Sequence, residues 1–274
     1  MKLKEVANCG HLFFILVPNH DQILFLSGYT CNTNTRLHMD LHVAITSDHP
    51  LYFIGWGVVL FMIFFPIFIG NNASIRVRSN FEKGWAYVLL ASYFAMTGVS
   101  MIRGEASWAT SLLCHMCGFS RLLAIGYLLS GKRWMGEMVT FMGIAGGLQS
   151  FITPEFTHGL HPVYVFDYYF NHASIIAIGF YIIFAHKQPL QKGAWLRTFG
   201  RIQLLALLAL VVNLITGGNY MYLMEPPIVD NPLIIQSESF PYMHVVFFQV
   251  FAAVHFFLLQ VVLSRLKVKR TLSY

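Results

Sequence analysis

Hydrophobic residues along the chain form long runs that are separated by short polar segments. Each run holds about twenty residues, the length of a helix that crosses ~30 Å of hydrocarbon. The seven runs lie at 51–69, 85–102, 109–130, 134–153, 168–186, 199–216 and 243–264. In lipid only helices and closed barrels satisfy the backbone, and these runs are too long for barrel strands. The pattern predicts an all-α fold, a polytopic membrane bundle of seven transmembrane helices.

Composition supports this fold class and argues against nucleic acid as a partner. The 274 residues are 56% hydrophobic and 11% charged, whereas about a quarter of the residues in a soluble domain are charged. The net charge of +6 comes from basic residues in short clusters between the apolar runs. No basic groove with interleaved aromatic residues accompanies them, so we predict no nucleic-acid partner.

The distribution of Lys and Arg predicts the orientation, because basic residues favour cytoplasmic loops. They follow the C-terminal ends of spans one, three, five and seven. These residues are Arg76, Arg78, Lys83, Lys132, Arg133, Lys187, Lys192, Arg197, Arg201, Arg265, Lys267, Lys269 and Arg270. The alternate loops hold Arg103 and six acidic residues, Glu105, Glu155, Asp167, Glu225, Asp230 and Glu238. This asymmetry predicts an N-terminus outside and a C-terminus in the cytoplasm.

The two ends of the chain differ from the membrane domain, which we assign to residues 46–266. Residues 1–45 have mixed polarity and no clean periodicity. One explanation is an over-extended gene start, with Met39 as the initiator instead. Residues 267–274 form a short basic tail, which the orientation places in the cytoplasm.

Polar residues of the predicted spans collect in one layer. They are Cys117, Arg121, Gln149, His172, Asn213 and His244, and the orientation places all of them in the outer half of the bilayer. The cytoplasmic half offers little besides basic flanks. Polar side chains inside a bilayer cost free energy, so their presence there is taken first as a sign of a functional site. We predict a polar cavity that opens outward; the alternative is that these residues only join helices by hydrogen bonds.

The segment "NLITGGNYMYLMEPP" (213–227) ends the sixth span. Non-helical backbone at this depth is tolerated where it lines a cavity or is buried in protein. Asn219 and Tyr220 are therefore candidate cavity residues. Tyr220 and Tyr222 fit an interfacial aromatic belt equally well.

The stretch "LLCHMCGFSR" (112–121) carries the most chemistry. If it is helical throughout, Cys114, Cys117 and Arg121 share one face, and His115 points nearly the opposite way. His115 is then no base for Cys117, although it remains a candidate cavity residue. Open alternatives are a thiol-redox pair of the two cysteines, a metal clip completed by distant histidines, simple packing, and a nucleophile. No spacing demands a metal or a cofactor, and we predict neither.

A nucleophilic Cys117 needs a base from another helix at similar depth. His172 on the fifth span fits by depth. Arg121, one turn below Cys117, would favour the thiolate.

Several motifs together resemble the YwaF-type bacterial integral membrane family, whose distant eukaryotic relative is transmembrane protein 164. They are "LLCHMC", "GGLQSFITPEF", "FNHASIIAIGFYIIF", "VVNLITGGNYMYLMEPP" and "FPYMHVVFF", and the resemblance runs from about residue 49 to 264. The family is similar in its Pro-Leu-His-x-Cys pattern on span three, where Leu113 stands in place of the proline. His115, Cys117 and His172 match the family pattern.

The resemblance implies a location in a bacterial cytoplasmic membrane. The eukaryotic relative is an acyltransferase on phospholipids that uses a cysteine and a histidine. Carried over, Cys117 is the nucleophile and His172 the base, and a membrane phospholipid is the partner. Asn213 and the amides around Gly217 and Gly218 are candidate oxyanion donors.

Three functions follow as hypotheses. The first is a lipid acyltransferase or lipid-acyl hydrolase whose cavity faces the outer leaflet. The second is a non-catalytic transporter or receptor-like protein that binds a small solute in the same cavity. The third is a membrane thiol oxidoreductase that uses Cys114 with Cys117. The sequence does not specify an oligomeric state.

Overall fold

A computed structural model describes residues 13–16, 23–26, 43–156, 159–227 and 240–266. Most of the predicted N-terminal segment, including Met39, lies outside these residues, and so does the predicted tail at 267–274.

In the described residues, seven helices form the body of the protein, as the apolar runs predicted. They are α1 (Pro50–Asn72), α2 (Ile75–Ile102), α3 (Met116–Ser130), α4 (Arg133–Ile152), α5 (Pro162–Phe184), α6 (Ala194–Thr216) and α7 (Met243–Arg265). A 3₁₀ turn, Tyr220–Tyr222, follows α6. The all-helical expectation is therefore confirmed for the body of the chain.

Two short antiparallel pairs of strands accompany the helices. Strand β1 (Phe13–Leu16) pairs with β2 (Ile23–Leu26), and β3 (Val43–Ala44) pairs with β4 (Glu155–Phe156). The second pair joins the chain before α1 to the chain after α4. Hydropathy did not predict these strands, because segments of two to four residues are too short to show a period.

Helix α2 begins ten residues before the predicted second span. Ser74 caps its N-terminus, so that the charged residues read as a loop lie in its first turns instead. Arg78 and Glu82 lie one turn apart on this helix, with 3.7 Å between Nε and Oε1. The apolar run marks the lipid-exposed part of a helix, and the helix itself extends past it.

Helix α3 begins later than predicted, at Met116 instead of residue 109. The preceding backbone folds back onto its first turn. A Cβ placed on Gly118 would lie 2.8 Å from the backbone of Leu113. Glycine is therefore needed there, since any side chain would displace this chain segment.

Helix α5 is the centre of the bundle. Its apolar residues Ile175, Ile176, Ile178 and Tyr181 are fully buried against the surrounding helices. Helix α4 approaches it closely through a glycine, because a Cβ on Gly147 would lie 2.6 Å from Ile176. Small residues at helix interfaces are typical of membrane bundles.

Large apolar side chains cover the outside of the bundle, where a soluble protein would carry charge. On the first and sixth helices they include Phe53, Phe61, Phe64, Phe68, Leu204, Leu207, Leu208 and Leu214. Within the described residues, α1, α2, α6 and α7 are long and apolar enough to cross a membrane. The protein is an integral membrane protein, and membrane crossing by α3, α4 and α5 stays a prediction.

The segments that join the helices meet at two opposite ends. The loop end, which we define as 43–49, 103–115, 153–156, 159–161 and 217–225, is held by contacts such as Ile45 N to Pro154 O at 2.9 Å and Tyr220 Oη to Trp108 O at 2.8 Å. The basic end, which we define as 73–74, 131–132 and 185–193, includes a bond from Arg133 to the carbonyl of Pro189. Successive helices thus run in alternate directions.

Candidate functional site

A buried arginine joins α3 to α5. Arg121 is 2% exposed, and its Nη2 donates to both carboxylate oxygens of Asp167, at 2.8 and 2.7 Å. Its Nε donates to Oδ1 of Asn171 at 2.7 Å. The Tyr93 ring of α2 lies 5.8 Å from Cζ, a cation–π distance. Among the described residues, Nη1 has no hydrogen-bond acceptor.

Asp167 and Asn171, the partners of Arg121, were not among the predicted site residues. Asp167 was predicted to lie in an outer loop, but it is buried inside α5. The two residues are four positions apart, and residues at that spacing share a helix face. Arg121 could have indicated them, because a charged side chain inside a membrane bundle usually pairs with an opposite charge or a polar group on a neighbouring helix.

Cys117 lies in the first turn of α3, at the second helical position. His115 is the N-cap residue, but its side chain makes no capping bond to the helix. Within the described chain, the N–H groups of Met116, Cys117 and Gly118 donate to no carbonyl, while Phe119 N donates to His115 O. The amides of Cys117 and Gly118 face the Cys117 sulfur instead. The positive end of the helix dipole and Arg121, one turn away, both favour negative charge at the sulfur. Burial of the sulfur opposes it.

His172 lies on α5 one residue after Asn171 and is 7% exposed. Its Nδ1 lies 2.7 Å from the carbonyl oxygen of Tyr168. Because a carbonyl only accepts hydrogen bonds, Nδ1 carries the proton, and Nε2 keeps its lone pair in the neutral ring. The Tyr168 ring packs 4.4 Å from the imidazole and fixes its orientation.

The predicted pair of Cys117 and His172 lies on two helices that Arg121 joins. In the described part of the chain, no hydrogen bond links the two side chains. Catalytic hydrogen bonds are often long or absent before substrate binds. Their pairing therefore stays a prediction, and the bonded link between the two helices is the one that Arg121 makes to Asp167 and Asn171.

The segment 217–225 at the loop end is fixed by residues that we had predicted to line a cavity. Asn213 donates to Tyr220 O at 3.0 Å and accepts from Tyr220 N at 2.7 Å. The Tyr220 hydroxyl accepts from Leu112 N at 2.9 Å. His244 is 2% exposed, and its ring nitrogens lie 3.0 Å from the carbonyls of Pro241 and Tyr222.

His115 also holds this segment. Its Nδ1 accepts from Met221 N at 3.3 Å, and its ring packs against Tyr220 and Tyr222. Burial lowers the pKa of His115 to about 4, so the ring is neutral at pH 7 and can accept. These contacts hold Met221 and Tyr222 at φ of 56° and 52°, in the left-handed region that costs a non-glycine residue about 1–2 kcal/mol.

The predicted oxyanion donors are already engaged. The Asn213 amide donates to Tyr220, Gly217 N donates to Asn213 O at 2.8 Å, and Gly218 N donates to Thr216 Oγ1 at 3.2 Å. The two glycine amides thus have no free N–H to offer to a substrate, and one N–H of the Asn213 amide is engaged in holding the loop.

Gln149 and Asn219 make local contacts. Gln149 Nε2 donates to Thr153 Oγ1 at 3.1 Å at the end of α4. Asn219 Oδ1 accepts from Met224 N and Glu225 N, at 3.1 and 3.2 Å. Both side chains shape the loop end, and neither contacts the Arg121 network.

Cys114 and Cys117 do not share a helix face, which corrects the sequence analysis. Cys114 precedes α3 and packs against a cluster that includes Phe141 and Phe256. Cys117 packs instead against the cluster that contains Trp85 and Tyr181. Both thiols are free, and burial raises the pKa of Cys114.

The basic end holds a polar cluster that the sequence analysis also missed. Glu82 Oε1 accepts from Tyr181 Oη and lies 2.7 Å from His186 Nε2. His186 Nδ1 lies 2.6 Å from Tyr127 Oη, which donates to Gln188 Oε1 at 2.9 Å. This half of the bundle is thus not limited to basic flanks. Across the described residues, no three His, Cys, Asp or Glu side chains come together as metal ligands.

Comparison with known proteins matches most of the chain to one family. The model of the TMEM164 family covers residues 44–260, from the β3 strand into α7. No curated protein and no solved structure matches the chain.

Proposed function

Because the chain belongs to the TMEM164 family, we propose that it is a membrane enzyme that transfers or hydrolyses an acyl group of a phospholipid. Cys117 is the nucleophile and His172 is the base. The active site opens toward the outer leaflet of a bacterial cytoplasmic membrane, with the N-terminus outside and α3, α4 and α5 completing seven spans.

The observation that carries this proposal is the state of His172. Its Nδ1 is occupied by the Tyr168 carbonyl, which leaves Nε2 as a proton acceptor. Asn171, the residue before His172 on α5, is bonded to Arg121 on the helix of Cys117. A cysteine at a helix N-terminus and a neutral base with an available ring nitrogen are the groups that nucleophilic catalysis requires.

In the first half-reaction, Nε2 of His172 takes the proton of Cys117, and Sγ attacks the carbonyl carbon of an acyl ester. The C–O π electrons move to the carbonyl oxygen. When they return, the bond to the lysophospholipid oxygen breaks, and the imidazolium gives its proton to that oxygen. A thioester on Cys117 remains.

In the second half-reaction, His172 deprotonates the hydroxyl of an acceptor lipid, or water. The resulting oxygen attacks the thioester carbonyl, and the Cys117 thiolate leaves and regains the proton from the imidazolium. A lipid acceptor gives acyl transfer, and water gives hydrolysis.

Activity is tested with purified full-length protein in vesicles that contain phosphatidylcholine with a fluorescent acyl chain and a lysolipid acceptor. We expect wild type and Cys114→Ala to form labelled product and lysophosphatidylcholine. Cys117→Ala and His172→Gln should lose activity by about 10²-fold or more. Full activity of Cys117→Ala in folded protein would refute the nucleophile and favour solute binding. Loss in Cys114→Ala as well would favour thiol redox chemistry.

Orientation is tested separately with reporters at the C-terminus. We expect a fluorescent protein fused there to fluoresce and alkaline phosphatase to be inactive, since the phosphatase needs the periplasm for its disulfides. An active phosphatase fusion would reverse the orientation and place the loop end in the cytoplasm.

A further inference from the structure

The first turn of α3 presents backbone donors that no carbonyl or cap accepts. In the described structure, the N–H groups of Met116, Cys117 and Gly118 donate to no carbonyl, and the His115 side chain does not cap them. Instead, His115 bonds to Met221 N. The amides of Cys117 and Gly118 face the Cys117 sulfur, where the carbonyl oxygen of a bound ester would also lie. A helix start without a cap is a site for negative charge, and this one surrounds a candidate nucleophile.

Arg121 points its remaining donor toward the same turn. On α5, which runs from the loop end inward, Asp167 lies one turn nearer the loop end than Asn171. Arg121 binds Asn171 through Nε and Asp167 through Nη2, so its guanidinium extends toward the loop end, where α3 begins. Side chains on a helix lean toward its N-terminus, which agrees with this direction.

The two bonded nitrogens, Nε and Nη2, occupy the edge of the guanidinium that faces α5. Nη1 lies on the other edge, is buried, and has no acceptor among the described residues. A buried charged donor without a partner is costly. It is a second, independent indication of an anionic ligand at the start of α3.

We propose that the amides of Cys117 and Gly118 together with Nη1 of Arg121 form the oxyanion hole of this enzyme. It replaces the donors predicted near Gly217, which are engaged within their own loop. The ligand it takes is the carbonyl oxygen of an acyl ester or thioester, as that oxygen becomes an oxyanion. Asp167 and Asn171 position the guanidinium and do not touch the substrate.

This role rests on the proposed function and completes its chemical steps. In both half-reactions the carbonyl oxygen gains an electron pair when the nucleophile attacks, and it loses that pair when the leaving group departs. Donors held before the reaction stabilise this charge without reorganisation, and removing one of them costs about 10²–10³ in rate.

The test compares two reactions of the same thiol in full-length protein whose other cysteines, Cys9, Cys31 and Cys114, are replaced by alanine. Iodoacetamide alkylates Cys117 by displacement at a saturated carbon and develops no carbonyl oxyanion. The ester 4-nitrophenyl butyrate acylates the same sulfur through an oxyanion. Both reactions need the thiolate, and only acylation forms an oxyanion. The ratio of the acylation rate to the alkylation rate therefore measures oxyanion stabilisation independently of thiolate formation. Both rates are followed by intact mass across pH 6–10.

We expect Arg121→Gln to lower the acylation rate about 10²-fold at a pH where its alkylation has reached the plateau. Arg121→Lys keeps the positive charge but lacks the forked donors of the guanidinium, so its acylation rate should fall less. This variant replaces Arg121→Gln in the test if the glutamine variant does not fold. Arg103→Gln, which removes an exposed arginine paired with Glu105, is the matched control and should leave the ratio unchanged.

Equal losses in both reactions would mean that Arg121 acts only on folding or thiolate formation, and would overturn the proposal. So would an unchanged ratio, or a Cys117 that iodoacetamide modifies and the ester does not. Failure of the proposed function looks different. In that case the ester acylates Cys117 with the expected dependence on Arg121, and no acyl group moves between lipids.

Discussion

Replacing Asp167 with asparagine tests whether the ion pair with Arg121 holds α3 to α5. The substitution preserves the shape and one acceptor oxygen but removes the charge that compensates Arg121. Both side chains are almost fully buried, at 3% and 8% exposure. Removing one partner of a buried pair costs about 3–5 kcal/mol, because the other charge is left buried. We expect Asp167→Asn to lower the free energy of unfolding by this amount.

The assay is equilibrium unfolding of the purified protein in mixed micelles, with increasing denaturing detergent. The control is Arg103→Gln, which breaks a pair of similar chemistry, Arg103 Nε to Glu105 Oε1 at 2.6 Å, whose arginine is 45% exposed. Exposed pairs contribute about 0–1 kcal/mol. The difference between the two variants measures the effect of burial.

A double variant, Arg121→Gln with Asp167→Asn, completes the test. It removes both charges and lets two amides bond to each other, so it should recover much of the stability that Asp167→Asn loses. If the free energy of unfolding of Asp167→Asn lies within about 1 kcal/mol of the wild-type value, the ion pair does not hold the two helices together. The electrostatic reasoning about the site would then be wrong.

Three further predictions concern residues that contact the loop end or belong to it. Gly118→Ala should destabilise the fold and slow alkylation of Cys117, because its Cβ would meet backbone at 2.8 Å; Gly98→Ala, with open space around it, should cost nothing in thermal unfolding. Asn213→Ala should cost about 2–4 kcal/mol in detergent unfolding, since both buried bonds to the Tyr220 backbone are lost; a cost under 1 kcal/mol contradicts this. Burial lowers the pKa of His115 to about 4 from 6.5, so the unfolded chain binds the extra proton first, and stability should fall as pH drops from 6.5 to 4. The fall in Tm between pH 6.5 and 4 should be smaller in His115→Gln than in wild type. Identical profiles of Tm against pH in the two proteins would refute this role of His115.

Hydropathy predicted the existence of all seven helices, because each buries or exposes a long apolar run. It did not predict where α2 and α3 begin. Charged residues continue α2 beyond the apolar run, supported by the cap at Ser74. Before α3, the apolar residues 109–113 belong to folded loop, because apolar side chains pack in loops as well as in helices. Hydropathy does not distinguish the two.

The site was predictable only in part, for a related reason. Cys117, Arg121 and His172 stand out in apolar surroundings, and the structure shows Arg121 bonded between α3 and α5, while the pairing of Cys117 with His172 stays a prediction. Asp167 was misassigned because the predicted span began at residue 168, directly after it, whereas α5 begins at Pro162. Asn213 and Tyr220 were recognised as unusual, but a bond between a side chain and backbone seven residues away leaves no periodic signal. Their role in fixing the loop appears only in three dimensions.

The ion pair between α3 and α5 also constrains how the chain enters the membrane. Helix α3 has 15 residues, about 22 Å of helix, and carries an arginine that costs about 2.5–3.5 kcal/mol at the centre of a membrane helix. Its neutralising carboxylate is synthesised 46 residues later, about 2–9 s at ordinary rates of translation. During that interval α3 is poorly suited to lipid on its own. For the proposed crossing by α3, α4 and α5, stable insertion of α3 would therefore wait for α5, and the two helices would enter the bilayer as a unit with α4 between them.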